Sequence, residues 1–247
     1  MMQRLWAAIG RGSWKREVFI LGFLYAGYEW TRGMAPERKA LAFSNAEAVQ
    51  DVERQLNIDF ESSANSLFLQ HQWIADAASA FYQLAHEGVA LLVLVWLWHR
   101  HRDKYPPLRA TLVVMTLMSL ATYWLVPLAP PRFAQSGIVD TLLVHPVLFA
   151  GMDSVTGLVN LYAAMPSVHV AWATWCALAV ALASHRPLRH LVWLYPLTTA
   201  VVVLGTGNHY VLDVLVGAFY VGVGWFAVAY VHPDWIHIER AELSRSR

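Results

Sequence analysis

Apolar and polar positions along this chain fall in long blocks rather than alternating residue by residue. Six apolar runs, at about 17–30, 77–98, 110–126, 166–184, 191–205 and 209–231, are separated by segments that hold most of the charge. Runs near this length fit a helix crossing the hydrocarbon core of a bilayer. The first run is short and interrupted by Glu29, and the fifth contains Pro196, where a bend is expected. The prolines of PLAPPRFA, which starts at Pro127, end the third. Between the first two runs the chain is polar with a helical pattern. Ser44 and Glu47 fit a capping box there, and Val49, Val52 and Leu56 follow at helical spacing. This segment, about 44–74, reads either as an amphipathic helix on the membrane surface or as a soluble helix packed on a loop. The pattern predicts an all-α integral membrane protein. It is a six-transmembrane-helix bundle forming one polytopic domain over 1–247, with an outer-face helical segment between spans one and two.

Composition agrees with the pattern. The 247 residues are 57% hydrophobic and 14% charged, with twelve tryptophans and a mean hydropathy of +0.39. A soluble domain carries roughly 25% charged residues. A net charge of +1 argues against a nucleic-acid partner. No small-residue cleavage site follows a short apolar core near the start, so no cleavable signal peptide is expected. Cys176 is the one cysteine and allows no internal disulfide. The tryptophans read as interfacial anchors or lipid-facing bulk.

Charge placement orients the spans. With both termini inside, the inner segments hold thirteen Lys and Arg residues and the outer segments five. The positive-inside rule favours that arrangement. It places Arg132 and the starts of the fourth and sixth runs on one outer face. His99, His101, His185 and His190 fall on the inner side as solvated surface residues.

Those two run starts share a chemistry. In NLYAAMPSVHVAW, residues 160–172, Pro166 suits a first helical turn, which puts Ser167 and His169 beside free backbone N–H groups. The positive end of a helix dipole attracts anions, phosphate above all. TGNHYVLDVLVG, residues 206–217, repeats the arrangement with Asn208 as an N-cap, then His209 and Asp213 four apart on one helical face. A carboxylate beside an imidazole fixes its tautomer and supports its positive charge. An ionised Asp within a span costs about 2.5–3.5 kcal/mol on insertion scales, so Asp213 needs a partner, and His209 is the obvious one. Arg132, flanked by prolines, is suited to grip phosphate oxygens with its planar fork. Phosphoryl transfer needs chiefly positioning and charge neutralisation. In that chemistry His209 attacks phosphorus, and His169 protonates the leaving oxygen and later deprotonates the acceptor.

AAMPSVH and NHYVLDVLVG resemble the second and third signatures of the type 2 phosphatidic acid phosphatase (PAP2) superfamily, a likeness covering roughly residues 77–225. The resemblance implies that His209 is a nucleophile forming a phosphohistidine, Asp213 its orienting partner and His169 the general acid. With no carboxylate cluster and no H-E-x-x-H pattern near the two histidines, the chemistry is expected to need no metal, and no cofactor is expected. Most members carry Ser-Arg six to seven residues before the nucleophile, where this chain has Val202 and Val203. The first signature, K-x6-RP, is also missing, and PLAPPRF occupies its place. Both departures resemble the inositol phosphorylceramide synthase-like branch. They leave Arg132 to carry more of the phosphate clamp, with Ser167, Asn208 and Tyr123 as candidate helpers.

Other polar residues are weighed singly. His86 and Glu87 read H-E, but Ala90 breaks the H-E-x-x-H zinc pattern. With Tyr82 one turn earlier, His86 is a candidate substrate contact facing the bundle interior. Asn160 either caps a turn or binds phosphate. No G-x-S-x-G and no Walker loop appears. The expected protein is a membrane enzyme acting on a lipid phosphate at the non-cytoplasmic face of a bacterial cell (inner) membrane, among membrane lipids. Water as acceptor makes it a phosphatase, and an alcohol such as inositol makes it a phosphotransferase. A lipid or ion transporter would also bury His and Asp in spans, but it would not need two histidines at two helix starts on one face.

Overall fold

The computed structural model describes residues 13–35, 38–145, 160–184 and 188–233. Most of the basic start, part of the inner turn at 185–190 and the polar tail lie outside them. Regular structure among the described residues is helical, apart from one isolated parallel bridge between Leu128 and Ala163. The helices are α1 (Trp14–Gly33), α2 (Lys39–Leu56), α3 (Glu61–Gln70), α4 (Gln72–Arg100) and α5 (Tyr105–Leu125). Then come the short α6 (Pro131–Ala134), α7 (Thr141–Val144), α8 (Val168–Ala183), the short α9 (Leu188–Leu191), α10 (Leu194–Gly205) and α11 (Val211–Val231). Each of the six apolar runs contains a helix. Three of them, α4, α5 and α11, are long and apolar enough to cross a membrane, while α8 and the stretch Arg189–Gly205 are shorter apolar helices.

Several boundaries differ from the pattern for local reasons. Pro106 and Pro107 stand in the first turn of α5, where a missing N–H leaves no bond unmade, so the helix starts earlier than its apolar run. Pro196 likewise sits in the first turn of α10 and starts that helix rather than bending it. The 44–74 segment is two helices. Because α2 begins at Lys39, Ser44 and Glu47 lie inside it and form no capping box.

α8 is the centre of the bundle, packed against α4, α5, α10 and α11. Its alanines Ala171, Ala173, Ala177, Ala179 and Ala183 are buried, and small side chains let neighbouring backbones approach closely. Trp175 is fully buried, and its indole N–H donates to Leu108 O at 2.8 Å. α8 and α11 come closest at their amino ends. There the Ser167 N–H donates to Asp213 O at 3.0 Å, and a Cβ on Gly217 would stand 2.4 Å from Ser167 O. That contact brings the two histidine-bearing ends together. Phe19, Phe23, Leu91, Leu92, Phe219, Phe226 and Tyr230 face outward, an apolar rim suited to lipid.

The α2–α3 segment packs on protein. Ala42 and Ala46 of α2 join Leu128, Ala129, Tyr162, Ala164 and Tyr210 in a small core at the end of the bundle. In α3, the Asn65 amide donates to Val139 O and Gly205 O, both at 2.9 Å, while its oxygen accepts from Val139 N.

Candidate active site

His209 lies in the turn before α11, not in the helix. Tyr210 is the N-cap, and the Asp213 carboxylate at the third helical position accepts from the Tyr210 N–H at 2.9 Å. Asn208 therefore is not the cap. His209 still meets Asp213, but at 3.4 Å, and its closer partner is the Ala164 carbonyl, 2.9 Å from Nδ1. A carbonyl can only accept, so Nδ1 carries the ring proton and Nε2 presents a lone pair. The tautomer is thus set by backbone, with Asp213 a weaker second acceptor.

Ala164 is itself held in place. Its N–H donates to Leu128 O at 3.3 Å and the Leu128 N–H donates to Tyr162 O at 2.7 Å, so the proline-rich loop and the AAMPSVH loop pair as a short parallel ladder. Ser167 is the N-cap of α8, its hydroxyl accepting from the Val170 N–H at 3.4 Å, and Pro166 precedes the helix. His169 is then in the first turn, with its ring centroid 6.0 Å from that of His209. The His169 ring packs 4.1 Å from Tyr82 and 4.2 Å from His86, and His86 packs 4.6 Å from Trp172. A small pocket of about 10 Å³, the space of roughly one water, lies beside this stack, lined by Phe81, Tyr82, His86, His169, Val202 and Val203 among others. The positions where most relatives place Ser-Arg are here part of an apolar wall.

Arg132 in α6 is bound to the same turn. Its Nη1 donates to Asn208 Oδ1, its backbone N–H donates to Gly207 O at 3.0 Å, and its Nε lies 3.0 Å from Asp140 Oδ2. These contacts use two sides of the fork and leave Nη2 for an oxyanion. The Asn208 amide donates to Thr206 O at 3.2 Å and Thr206 Oγ1 at 3.0 Å, so that side chain works as the bracket between Arg132 and the histidine turn. Gly207 has φ of +73°, a conformation that a side chain would strain. The Tyr123 hydroxyl donates to Pro166 O at 2.9 Å and so braces the approach to α8. Asn160 Oδ1 accepts from the Tyr162 N–H at 3.0 Å, the turn-capping alternative. The structure thus gathers His169, His209, Asp213, Ser167, Asn208, Arg132, Tyr82 and His86 at one end of the bundle. Tyr123 braces it from behind and Asn160 stands apart.

Three residues escaped the sequence reading. Arg32, in the last turn of α1, lies with its guanidinium 5.7 Å from the Tyr28 ring, and its charge is felt at Tyr123, His86 and His169. Its Nε makes no hydrogen bond among the described residues. The residue was visible as an outer-segment cation on the same face as Arg132, and that was its signal. Glu53 and Glu61 are fully buried and accept from the first N–H groups of α11: Leu212 N to Glu53 Oε1 at 2.6 Å, and Val211 N to Glu61 Oε1 at 3.0 Å. This overturns the second anion site expected at a helix start, because the amino end of α11 is already filled by carboxylates. Nothing in a single sequence marks these two glutamates apart from other helix charges. Among the described residues no group of three His, Cys, Asp or Glu side chains is arranged to hold a metal ion.

Among the described residues, a helical bundle brings two histidines together at paired helix ends. The chain belongs to the PAP2 superfamily, which it matches over residues 47–227 and whose members are phosphatases and phosphotransferases. It is 26% identical over 182 residues to a phosphoinositol dihydroceramide synthase of Bacteroides thetaiotaomicron, a match covering 66% of this chain and 59% of that relative's length. Its fold is similar to the crystal structure of Aquifex aeolicus LpxE, with a TM-score of 0.55 and 17% identity over 69% of this chain and 93% of that one.

Proposed function

We propose that this protein transfers the phosphoryl group of a membrane lipid phosphate through a phosphohistidine on His209, at the non-cytoplasmic face of a bacterial inner membrane. The observation that carries the reading is the state of His209: Nδ1–H is bound to Ala164 O, which leaves the lone pair on Nε2, and the His169 ring lies 6.0 Å from the His209 ring. His209 Nε2 attacks phosphorus, the bond from phosphorus to the lipid oxygen breaks, and His169 gives that oxygen a proton. Water then attacks the phosphohistidine, His169 takes the proton from the water, and inorganic phosphate leaves. Arg132 and Arg32 neutralise the equatorial oxygens, with Arg32 doing from α1 what the missing cationic positions do elsewhere in the superfamily.

A second outcome is favoured by the relative of 26% identity, whose name describes a synthase. There an alcohol such as inositol, or a lipid hydroxyl, takes the place of water in the second step. Purified protein in EDTA, given a panel of lipid phosphates with and without inositol, separates the readings. Phosphate release that survives the chelator supports hydrolysis, and a new inositol-containing product supports transfer. Absence of any turnover across the panel leaves a transporter as the better reading.

Arg32→Ala is expected to lose about 10²–10³-fold in kcat/KM on a lipid phosphate, the range for removing one donor to transition-state charge. Arg32→Lys should recover part of that loss, since charge is kept and the fork is lost. Unchanged kinetics in Arg32→Ala would remove it from the site.

The six-span topology, with both termini inside, rests on the thirteen-to-five charge division. Cysteines introduced at Ser136 and Pro187 should label from opposite sides of sealed vesicles. Labelling from one side alone contradicts the topology.

A further inference from the structure

The two buried glutamates have a consequence for control of the site. Free N–H groups in the first turn of a helix are ordinarily met by a local cap or water. In α11 they are met by side chains from 150 and 159 residues away, Glu61 Oε1 on the Val211 N–H at 3.0 Å and Glu53 Oε1 on the Leu212 N–H at 2.6 Å. Both glutamates are at most 1% exposed, and no Lys or Arg pairs with either among the described residues. The nearest cation on α2, Arg54, turns to Asp51 on the exposed face. The groups facing Glu53 are Glu61 of α3 and Asp213 at the start of α11, with Tyr210 alongside and Gln50 3.5 Å from the Tyr210 hydroxyl. An isolated ionised carboxylate is costly to bury, and a second one beside it more so. A helix N-terminus compensates for about half a charge.

We propose that Glu61 and a protonated Glu53, buried side by side, dock the α2–α3 segment on the amino end of α11 and so position His209, undocking when the Glu53 proton is lost. The catalytic part rests on the reading of His209 as the nucleophile; the docking does not. Burial, then the neighbouring Glu61, pushes the Glu53 carboxyl from 4.5 up to about 9. At neutral pH Glu53 keeps its proton on Oε2, which makes no hydrogen bond among the described residues, while Oε1 keeps the Leu212 N–H. The folded value is raised, so the docked state is most favoured below about 4.5. It weakens as pH rises toward 9, and above that the loss is complete. The position of the pair explains why this would matter for turnover. Glu61 and Glu53 grip residues two and three places beyond His209, on the opposite side from the Asn208–Arg132 bracket.

The test uses the full chain in detergent, with proteinase K cutting at the turn between α2 and α3 (57–60) as the readout of undocking, normalised to an unstructured peptide at each pH. Cleavage of the wild type should rise by up to about tenfold per pH unit from 7 toward 9 and then level off. Glu53→Gln is neutral at every pH and keeps the acceptor for Leu212, so its cleavage should stay at the pH 7 level throughout. Glu61→Gln removes the neighbouring charge and should show a weaker rise. In parallel, kcat of Glu53→Gln relative to wild type on a lipid phosphate should climb across the same pH range. Cleavage curves that run parallel in wild type and Glu53→Gln overturn the proposal, whatever the activities. A flat Glu53→Gln curve with a rising wild-type curve, in a protein that turns over no phosphate ester, keeps the docking device and sinks the phosphoryl-transfer reading instead.

Discussion

His209→Ala should lose roughly 10⁴–10⁶-fold in turnover of a lipid phosphate, the range for removing a member of a covalent catalytic unit. The size follows from how little else at the site can replace it. Asp213 holds the Tyr210 N–H, and Glu53 and Glu61 hold the next two amides, so these three carboxylates are engaged at the helix end. His169 is packed between Tyr82 and His86, with its ring 6.0 Å from that of His209. The fold should be little affected, because the ring makes one backbone hydrogen bond at 2.9 Å and a longer contact of 3.4 Å to Asp213. Circular dichroism and the melting profile serve as that control. Turnover within tenfold of wild type, with an intact fold, would exclude His209 as the nucleophile.

His169→Ala should separate substrates by their leaving groups. General acid catalysis is typically worth about 10²–10⁴-fold, and an alkoxide leaving from a lipid phosphate needs the proton. A nitrophenolate departs without it, so the first step on nitrophenyl phosphate should be little slowed. The second step still needs His169 as a base, and the variant should therefore accumulate phosphoenzyme with the activated substrate. Burst kinetics on both substrates measure the difference. Equal losses on the two would assign His169 a binding role rather than proton transfer.

Much of the helical layout could be read from the chain, because blocks of apolar residues bounded by charge and proline leave few alternatives. The meeting of His169 with His209 followed from motif spacing, whereas Ser167, expected inside the first turn, is the residue that caps it. What the pattern could not give was the geometry of the ends. The spacing of four between His209 and Asp213 suggested one helical face. In the structure the helix starts two residues later, and the main-chain carbonyl of Ala164, 45 residues away, is the closer partner. A backbone acceptor has no sequence signature. Pro166 and Pro196 show the same limit in opposite directions: one sits outside the helix it was expected to open, and the other opens a helix it was expected to bend.

The polar segment between the first two runs was the least legible part. Its amphipathic pattern fits lipid, water or protein equally well, and its deciding residues are Ala42, Ala46, Glu53, Glu61 and Asn65. Two are small and three are polar, and each is buried against segments distant in sequence. Arg32 was hidden for a related reason. As one of four outer-segment cations it served the topology count, and only packing of α1 beside Tyr28 and Tyr123 sets it near His169.

Rapid-quench trapping with a substrate labelled in its phosphate is the most direct test of the phosphohistidine. Wild type and His169→Ala should each yield labelled protein that is stable to base and lost in acid, as a phosphoramidate is, and His209→Ala should yield none. Label that persists in His209→Ala and disappears in His169→Ala would reverse the roles of the two histidines. No label in wild type at any time point would contradict a covalent route altogether.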